Sequence, residues 1–136
     1  MVRLQLRLYT DPGEAQIFAN LQRKDGYQET ITVTIDTGAA ISLLPIELME
    51  IVDSRSSANP RIIIDQAGIA GQSFEAIEAF VTLSLEDADG NLTTPSEIPV
   101  WFAATKTPLL GFAGVLDRAI LHLDMVQKIG WLEIDL

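Results

Sequence analysis

The feature that most constrains the fold is a run of six residues that are all β-branched, Thr-Ile-Thr-Val-Thr-Ile at positions 30–35. β-branched side chains pack well on a pleated strand, and this run alternates threonine with an apolar residue, as in a half-buried strand. The run ends abruptly at Asp36-Thr37-Gly38. The sequence therefore predicts a strand that carries an acidic residue at its carboxyl end.

Further strand-like segments occur along the whole chain. Turn signals separate several of them, and Asp25-Gly26 predicts a hairpin with a type I′ turn because both central positions of that turn need positive φ. Pro45 predicts the start of a short helix that continues to Val52, residues 53–60 predict a polar loop, and residues 111–119 predict a turn with a short helix. The remaining predicted strands cover residues 2–8, 61–64, 73–85, 98–103, 120–123 and 131–136. Short strands at intervals of roughly 8–12 residues predict an all-β closed barrel with one or two short helices.

Composition excludes several functional classes. The 136 residues predict one domain over residues 1–136, and the absence of cysteine excludes a disulfide framework, a thiolate zinc site and a cysteine nucleophile. The net charge of −10 argues against nucleic acid as a partner, because phosphate backbones repel an acidic surface. The single His122 is interpreted as an ordinary strand residue. We also expect a cytoplasmic protein that does not enter a membrane, since no signal peptide or long apolar run is evident.

Asp36-Thr37-Gly38 by itself has two interpretations. It fits a strand-terminating turn in which Asp36 bonds to its own backbone and Gly38 supplies an unusual φ. It also fits a functional carboxylate, because an acid between a buried strand and the extended residues 39–44 is desolvated. Such a group is costly unless it is hydrogen-bonded or functional.

With its surroundings, this tripeptide resembles the retropepsin family of aspartic proteases. The resemblance includes a loop motif, an apolar pair with glycine, a glycine-rich flap and a closing apolar-Asp element. In chain order these are Ile35-Asp36-Thr37-Gly38-Ala39 with Ser42, Gly68-Ile69-Ala70-Gly71, Leu109-Leu110-Gly111 and Leu123-Asp124. The landmarks span nearly the whole chain, which makes the resemblance much more specific than the tripeptide alone.

The resemblance implies an aspartic endopeptidase that acts as a homodimer on a peptide or protein substrate. Pepsin-like enzymes carry two such motifs in one chain, whereas this chain has one, so two-fold symmetry has to supply the second Asp36. Two adjoining carboxylates share one proton, and one acts as general base on water while the other acts as general acid. This chemistry needs no metal or cofactor.

The resemblance also assigns roles to individual residues. Asp36, Thr37 and Gly38 form the catalytic loop, in which the Thr37 hydroxyl bonds across the dimer axis and Gly38 allows a close backbone approach. The substrate-binding residues are Ala39 and Ala40 in the loop and Gly68, Ile69, Ala70 and Gly71 in the flap. Viral enzymes often carry acidic residues where Ala40 and Ile41 stand, which implies a different substrate cleft here.

Two other functions stay open from the sequence. The chain can be a catalytically weak retropepsin-like module that dimerises or binds peptide, or an unrelated β-barrel in which the tripeptide is a coincidence. The terminal segments, residues 2–8 and 131–136, are candidates for an intersubunit sheet.

Overall fold

The computed structural model describes residues 1–65 and 73–136, and most of these residues lie in β-strands. The strands are β1 (Val2–Gln5), β2 (Arg7–Tyr9), β3 (Glu14–Gln22), β4 (Gln28–Ile35), β5 (Ser42–Pro45), β6 (Ser54–Asp65), β7 (Ser73–Glu86), β8 (Ser96–Ala103), β9 (Leu109–Leu110), β10 (Ala119–Asp124) and β11 (Ile129–Ile134). Short 3₁₀ helices cover Ile46–Glu50 and Leu116–Arg118. The predicted all-β class is confirmed. Within this described part of the chain, no helix has the length and apolar character needed to cross a membrane.

The larger sheet has the strand order β2-β3-β4-β9-β5-β8-β7-β6. An additional antiparallel pairing joins β3 to β7, from Phe18↔Glu86 to Leu21↔Leu83. The ring of hydrogen-bonded strands is therefore continuous and has the order β3-β4-β9-β5-β8-β7. The side chains inside this ring are apolar, and Ile17, Val33 and Phe102 are among those that are almost completely buried. Burial of this apolar surface is the main force that holds the ring closed.

The chain termini form a second sheet with the order β1-β11-β10. Its inner face adds the fully buried Leu4, Leu132 and Ile134 to the same hydrophobic core. On its outer face the His122 ring stacks on Trp131 at 5.0 Å, so the interpretation of His122 as a strand residue is confirmed. The terminal segments pair with each other within one chain, and β11 has a neighbour on both sides. β11 therefore has no free edge for an intersubunit sheet.

Two predicted segments are wrong in detail. The strand predicted over residues 2–8 is divided at Leu6 into β1 and β2, which belong to different sheets. In the predicted polar loop over residues 53–60, residues 54–60 lie in β6, with an irregular register between Ser56 and Arg61. Polar side chains of this segment lie on the exposed surface of the strand, where the Arg55 guanidinium lies over the Phe80 ring at 4.3 Å. Polarity alone therefore does not separate an exposed strand from a loop.

The hairpin predicted at Asp25-Gly26 is confirmed, because β3 and β4 pair in antiparallel register on either side of it. The turn type is wrong, since Gly26 has φ +89° but Asp25 does not have positive φ. The Asp25 carboxylate accepts a hydrogen bond from the Tyr27 N–H at 3.0 Å and pairs with the Arg23 guanidinium at 2.9 Å. These side-chain contacts stabilise a wider turn than the two-residue type I′ geometry.

A buried carboxylate, Asp87, joins the two sheets. It is only 2% exposed, and it accepts hydrogen bonds from the N–H groups of Gln5, Asp89 and Asn91 and from the Asn91 side-chain amide, at 2.8–3.0 Å. Burial raises the pKa of Asp87, but these hydrogen bonds outweigh it and hold the pKa below the ordinary value of an aspartate. Gln5 belongs to β1, so the bond to its N–H ties the terminal sheet to the end of β7.

We expect Asp87→Asn to lower the free energy of unfolding at neutral pH by about 1.5–3 kcal/mol, the range for hydrogen bonds to a charged group. The folded-state pKa lies below the unfolded-state value of about 3.9, so the contribution is complete above that pH and is lost as pH falls through the folded-state pKa. Urea unfolding at neutral and acid pH measures the difference in free energy of unfolding between the wild type and Asp87→Asn. This difference should become smaller at acid pH. Asp89→Asn, at an exposed position of the same turn, is the control. Equal loss in both variants would contradict a specific role of Asp87.

Candidate active site

Asp36 lies at the end of a strand whose position is fixed from both sides. β4 pairs with β3 in antiparallel register and with β9 in parallel register, with Ile35 opposite Leu110. The Asp36 N–H donates to the Leu110 carbonyl at 3.0 Å, which extends the pairing by one residue beyond the strand. This backbone hydrogen bond, directly after the β-branched run, therefore fixes the position of Asp36.

A tight turn then orients the carboxylate. The Ala39 N–H donates to the Asp36 carbonyl at 3.2 Å, and the Gly38 N–H donates to the Asp36 Oδ1 at 2.8 Å. A hydrogen bond to a carboxylate is stronger than one between neutral groups, so it limits rotation of the side chain. Within the described part of the chain, Oδ2 accepts no hydrogen bond. The turn therefore holds one oxygen and leaves the other available.

The loop of residues 36–40 is largely open to solvent. In a single chain the Asp36 side chain is half-buried, while Thr37, Gly38 and Ala40 are exposed and Ala39 is half-buried. The inner side of the loop is covered by β9 and the residues after it, and the outer side faces solvent. Asp36 is therefore only partly removed from solvent in the isolated chain.

Residues 111–113 hold the loop from its inner side. The Phe112 and Ala113 N–H groups donate to the Ala39 and Ala40 carbonyls, both at 2.9 Å. The Gly111 N–H donates at 2.9 Å to the hydroxyl of Ser42, which is almost completely buried. The position of Leu109-Leu110-Gly111 beneath the loop is thus confirmed. Ser42 belongs to the loop motif identified in the sequence, and its hydroxyl accepts the hydrogen bond from the Gly111 N–H.

Gly111 itself allows this close contact. A Cβ atom at this position would lie 2.7 Å from the Ala39 carbonyl oxygen and within 2.9 Å of the backbone of Ile41. Real Cβ atoms do not approach backbone this closely, so only glycine fits here without a shift of the loop. The glycine is needed for space, since its φ is not positive.

The structure brings the five predicted loop residues together and leaves the flap untested. Asp36, Thr37, Gly38, Ala39 and Ala40 form one turn, as their adjacency in the sequence requires. Gly68, Ile69, Ala70 and Gly71 lie outside the described residues. The flanking strands are paired in antiparallel register up to Asp65↔Ser73.

A cleft beside Thr37 was not predicted from the sequence. It has a volume of about 280 Å³ and lies between the loop of residues 36–40, the start of β3 and the strand β10. The β10 side contributes Leu121, Leu123 and Met125. These residues are more than eighty positions from Thr37, so no local pattern could have placed them beside it.

A metal-dependent site has no obvious location in this part of the molecule. Among residues 1–65 and 73–136, no group of three or more His, Asp or Glu side chains lies close enough together to hold a metal ion. The groups that line the loop are one carboxylate, hydroxyls and backbone N–H donors.

Comparison with known proteins adds a fold assignment to this geometry. The chain is similar to the crystal structure of a retropepsin-like aspartic protease from Rickettsia conorii, with a TM-score of 0.55 and 14% sequence identity. The chain has a retropepsin-like fold. The match covers 96% of this chain and 89% of that chain, so the two folds correspond over nearly their whole length. No family model and no curated protein matches the sequence.

Proposed function

We propose that the 136 residues form a single retropepsin-like domain that acts, as a homodimer, as an aspartic endopeptidase. The observation that carries the proposal is the Asp36 carboxylate, which lies in a retropepsin-like fold at the end of a central strand with Oδ1 held by the Gly38 N–H. One such loop is present in the sequence of each chain, so a second copy has to supply the second carboxylate.

The chemistry follows from two carboxylates in contact. Two adjacent negative charges repel each other, so the pair retains one proton. The ionised Asp36 removes a proton from a bound water, which attacks the carbonyl carbon of the scissile peptide bond. The protonated Asp36 of the partner subunit donates its proton as the amine leaves. The bond between carbon and nitrogen is broken without a covalent enzyme intermediate.

Other residues of the loop position the reacting groups. Thr37 is exposed in the single chain, where its hydroxyl is accessible to a second copy. The Gly38 N–H orients Asp36, and the main chain of Ala39 and Ala40 is held by residues 112 and 113 so that the loop keeps its shape. Ala39 and the exposed Ala40 are proposed to contact the bound peptide. Gly68, Ile69, Ala70 and Gly71 are proposed to cover the bound peptide.

The test is cleavage of a peptide library at increasing dilution and between about pH 3 and 7. We expect cleavage with a bell-shaped dependence on pH and an acidic optimum, and inhibition by a statine-type transition-state analogue. Specific activity should fall when the protein concentration is lowered below the dimer dissociation constant. Undiminished specific activity on dilution would contradict the dimeric site. Binding of peptide without cleavage would favour the alternative of a catalytically weak binding module.

A further inference from the structure

The outer face of the larger sheet has a cavity that the candidate active site does not use, here called the polar cavity. It has a volume of about 290 Å³ and lies where β3 pairs with β7, beside the turn between β3 and β4. This volume is close to the lower end of the roughly 300–1,000 Å³ range of small-molecule sites, so the cavity fits one small ligand. Its hydrogen-bonding side chains are Asn20, Gln22, Tyr27, Gln28, Thr82 and Ser84.

The floor of the polar cavity is a row of side chains that lie on the face away from the core. Ala19 and Leu21 are core residues, and side chains alternate along a strand, so Asn20 lies on the opposite face of β3. Its partners in register are Thr30 of β4 and Ser84 of β7. Asn20 is nevertheless only 4% exposed, and Ser84 only 2%. The floor is therefore polar and at the same time largely removed from water.

Hydrogen bonds hold this floor in one arrangement and leave one donor unused. The Asn20 Oδ1 accepts from the Thr30 hydroxyl. The Asn20 Nδ2 donates to the Glu86 Oε1 at 2.9 Å and, at the long distance of 3.5 Å, to the Ser84 Oγ. Within the part of the chain that the structure describes, the Ser84 hydroxyl donates to no acceptor. A buried donor without an acceptor costs free energy, and an oxygen atom of a ligand at this place would recover it.

The charge of the polar cavity selects a neutral ligand. Among residues 1–65 and 73–136, no side chain that lines the cavity carries a charge. The lining thus offers neither a cation for an anionic group nor a carboxylate for a cationic one. The protein as a whole has a net charge of −10, which repels anions further. The ligand therefore binds through neutral donors and acceptors.

The strand pairing around the cavity excludes an extended peptide. At Asn20, β3 pairs with β4 on one side and with β7 on the other. The floor therefore has no free strand edge, whereas an extended peptide gains affinity from main-chain bonds to such an edge. Side-chain amides and hydroxyls remain as the binding groups. A carboxamide holds a donor and an acceptor side by side, which matches two hydroxyl groups on adjacent carbons of a sugar.

An exposed aromatic ring lies beside this floor. Tyr27, in the turn between β3 and β4, is 75% exposed, compared with 41% for Tyr9, the other tyrosine of the chain. An aromatic ring has a flat apolar face, and the phenol adds a polar group at one end. A sugar ring has C–H groups on its faces and hydroxyl groups around its edge. It can therefore contact the ring of Tyr27 and the polar floor at the same time.

We propose that the polar cavity binds a neutral sugar ring, with Tyr27 against one face of the sugar and the amides and hydroxyls of the cavity bonded to the sugar hydroxyls. This site is separate from the candidate active site. Gln28 and Asp36 lie at opposite ends of β4, which has 8 residues. At about 3.3 Å for each residue, roughly 25 Å separates them along the strand. The sugar site therefore does not depend on the proposed peptidase function.

NMR titration of the isotope-labelled chain with the methyl glycosides of glucose, galactose and mannose tests the site. The side-chain amide resonances of Asn20, Gln22 and Gln28 report on the cavity itself. We expect at least one of these neutral glycosides to shift them, with a dissociation constant of about 10 mM or lower. The uronate of the same sugar should bind at least about fivefold more weakly, because the acidic protein repels its carboxylate.

Two pairs of variants assign the binding to the polar cavity. Tyr27→Ala removes the aromatic face and should raise the dissociation constant at least about fivefold, whereas Tyr9→Ala, outside the cavity, should leave it unchanged. Gln22→Ala removes one amide at the rim, and Gln127→Ala, at an exposed position of the β10–β11 turn, is its control. Circular dichroism confirms that all four variants are folded, and cleavage of a short unmodified peptide should be the same in all of them.

Each outcome supports the sugar site or overturns it. Shifts of the cavity amides that Tyr27→Ala weakens and Tyr9→Ala leaves intact support it, whether or not the protein cleaves peptides. The proposal is overturned if none of the three glycosides shifts these amides, or if Tyr27→Ala binds as tightly as Tyr9→Ala. A tetraglycine peptide that shifts the same resonances while the glycosides do not would assign the cavity to peptide and overturn the sugar site as well.

Discussion

Asp36→Asn is expected to lower peptide cleavage by at least about 10²–10⁴-fold, the contribution that general acid–base catalysis makes to a rate. Asparagine has nearly the same shape as aspartate, and its side-chain oxygen still accepts the hydrogen bond that the Gly38 N–H donates to Oδ1. It carries no charge and cannot remove a proton from water. The fold should therefore be retained while the chemistry is lost. Steady-state cleavage of the best library peptide measures the loss, and urea unfolding checks the fold.

The control for charge alone is Asp53→Asn, which removes a negative charge at an exposed position. Mixing experiments test whether the carboxylate acts as one of a pair. In an equal mixture of exchanging chains about a quarter of the dimers are fully wild type, so activity per wild-type chain falls by about half. Retention of cleavage by Asp36→Asn, or no loss on mixing with demonstrated exchange, contradicts the shared dyad.

The position of residues 36–40 at the end of a strand could be predicted because the information is local. The β-branched residues 30–35 specify a strand by themselves, and Asp36 follows in the next position whatever the rest of the chain does. The five loop residues are consecutive, so their proximity is a consequence of covalent connection. The tight turn at Gly38 likewise depends on a bond between near neighbours.

Features that depend on distant partners could not be predicted in the same way. The polar residues 54–60 form part of β6 because β7 lies beside them, and nothing in their own composition indicates that partner. Asp87 looks like an ordinary turn residue in Asp-Ala-Asp-Gly-Asn. It is buried because β1, which is distant in the sequence, packs beside it and donates the Gln5 N–H to its carboxylate. The pairing of β1 with β11 has the same origin. Tertiary contacts override local preference in each case.

The contact of Gly111 with the loop of residues 36–40 depends on both local and long-range information. The resemblance indicated that Leu109-Leu110-Gly111 lies beneath the loop, but the reason for the glycine is visible only in three dimensions. The space above its Cα is filled by the Ala39 carbonyl and the backbone of Ile41. Since the loop positions Asp36, a side chain at residue 111 should affect both stability and activity.

Gly111→Ala is expected to lower the free energy of unfolding by about 3 kcal/mol or more, at the upper end of the cost of overpacking a core. The new Cβ would meet backbone atoms at 2.7–2.9 Å, and backbone cannot rotate away as a flexible side chain can. Relief requires the loop to move outward, which would break the bonds from the Phe112 and Ala113 N–H groups to the loop carbonyls. Urea unfolding measures the loss of stability.

Gly13→Ala is the matched control, because a Cβ there meets no atom within 4 Å and the φ of Gly13 is not positive. That change should alter the free energy of unfolding by no more than about 1 kcal/mol, with a small gain expected from the reduced entropy of the unfolded chain. Cleavage should fall in Gly111→Ala even at temperatures where the variant is fully folded, since displacement of the loop moves the carboxylate. If Gly111→Ala matched Gly13→Ala in both stability and cleavage, residues 111–113 would not be what holds Asp36 in place.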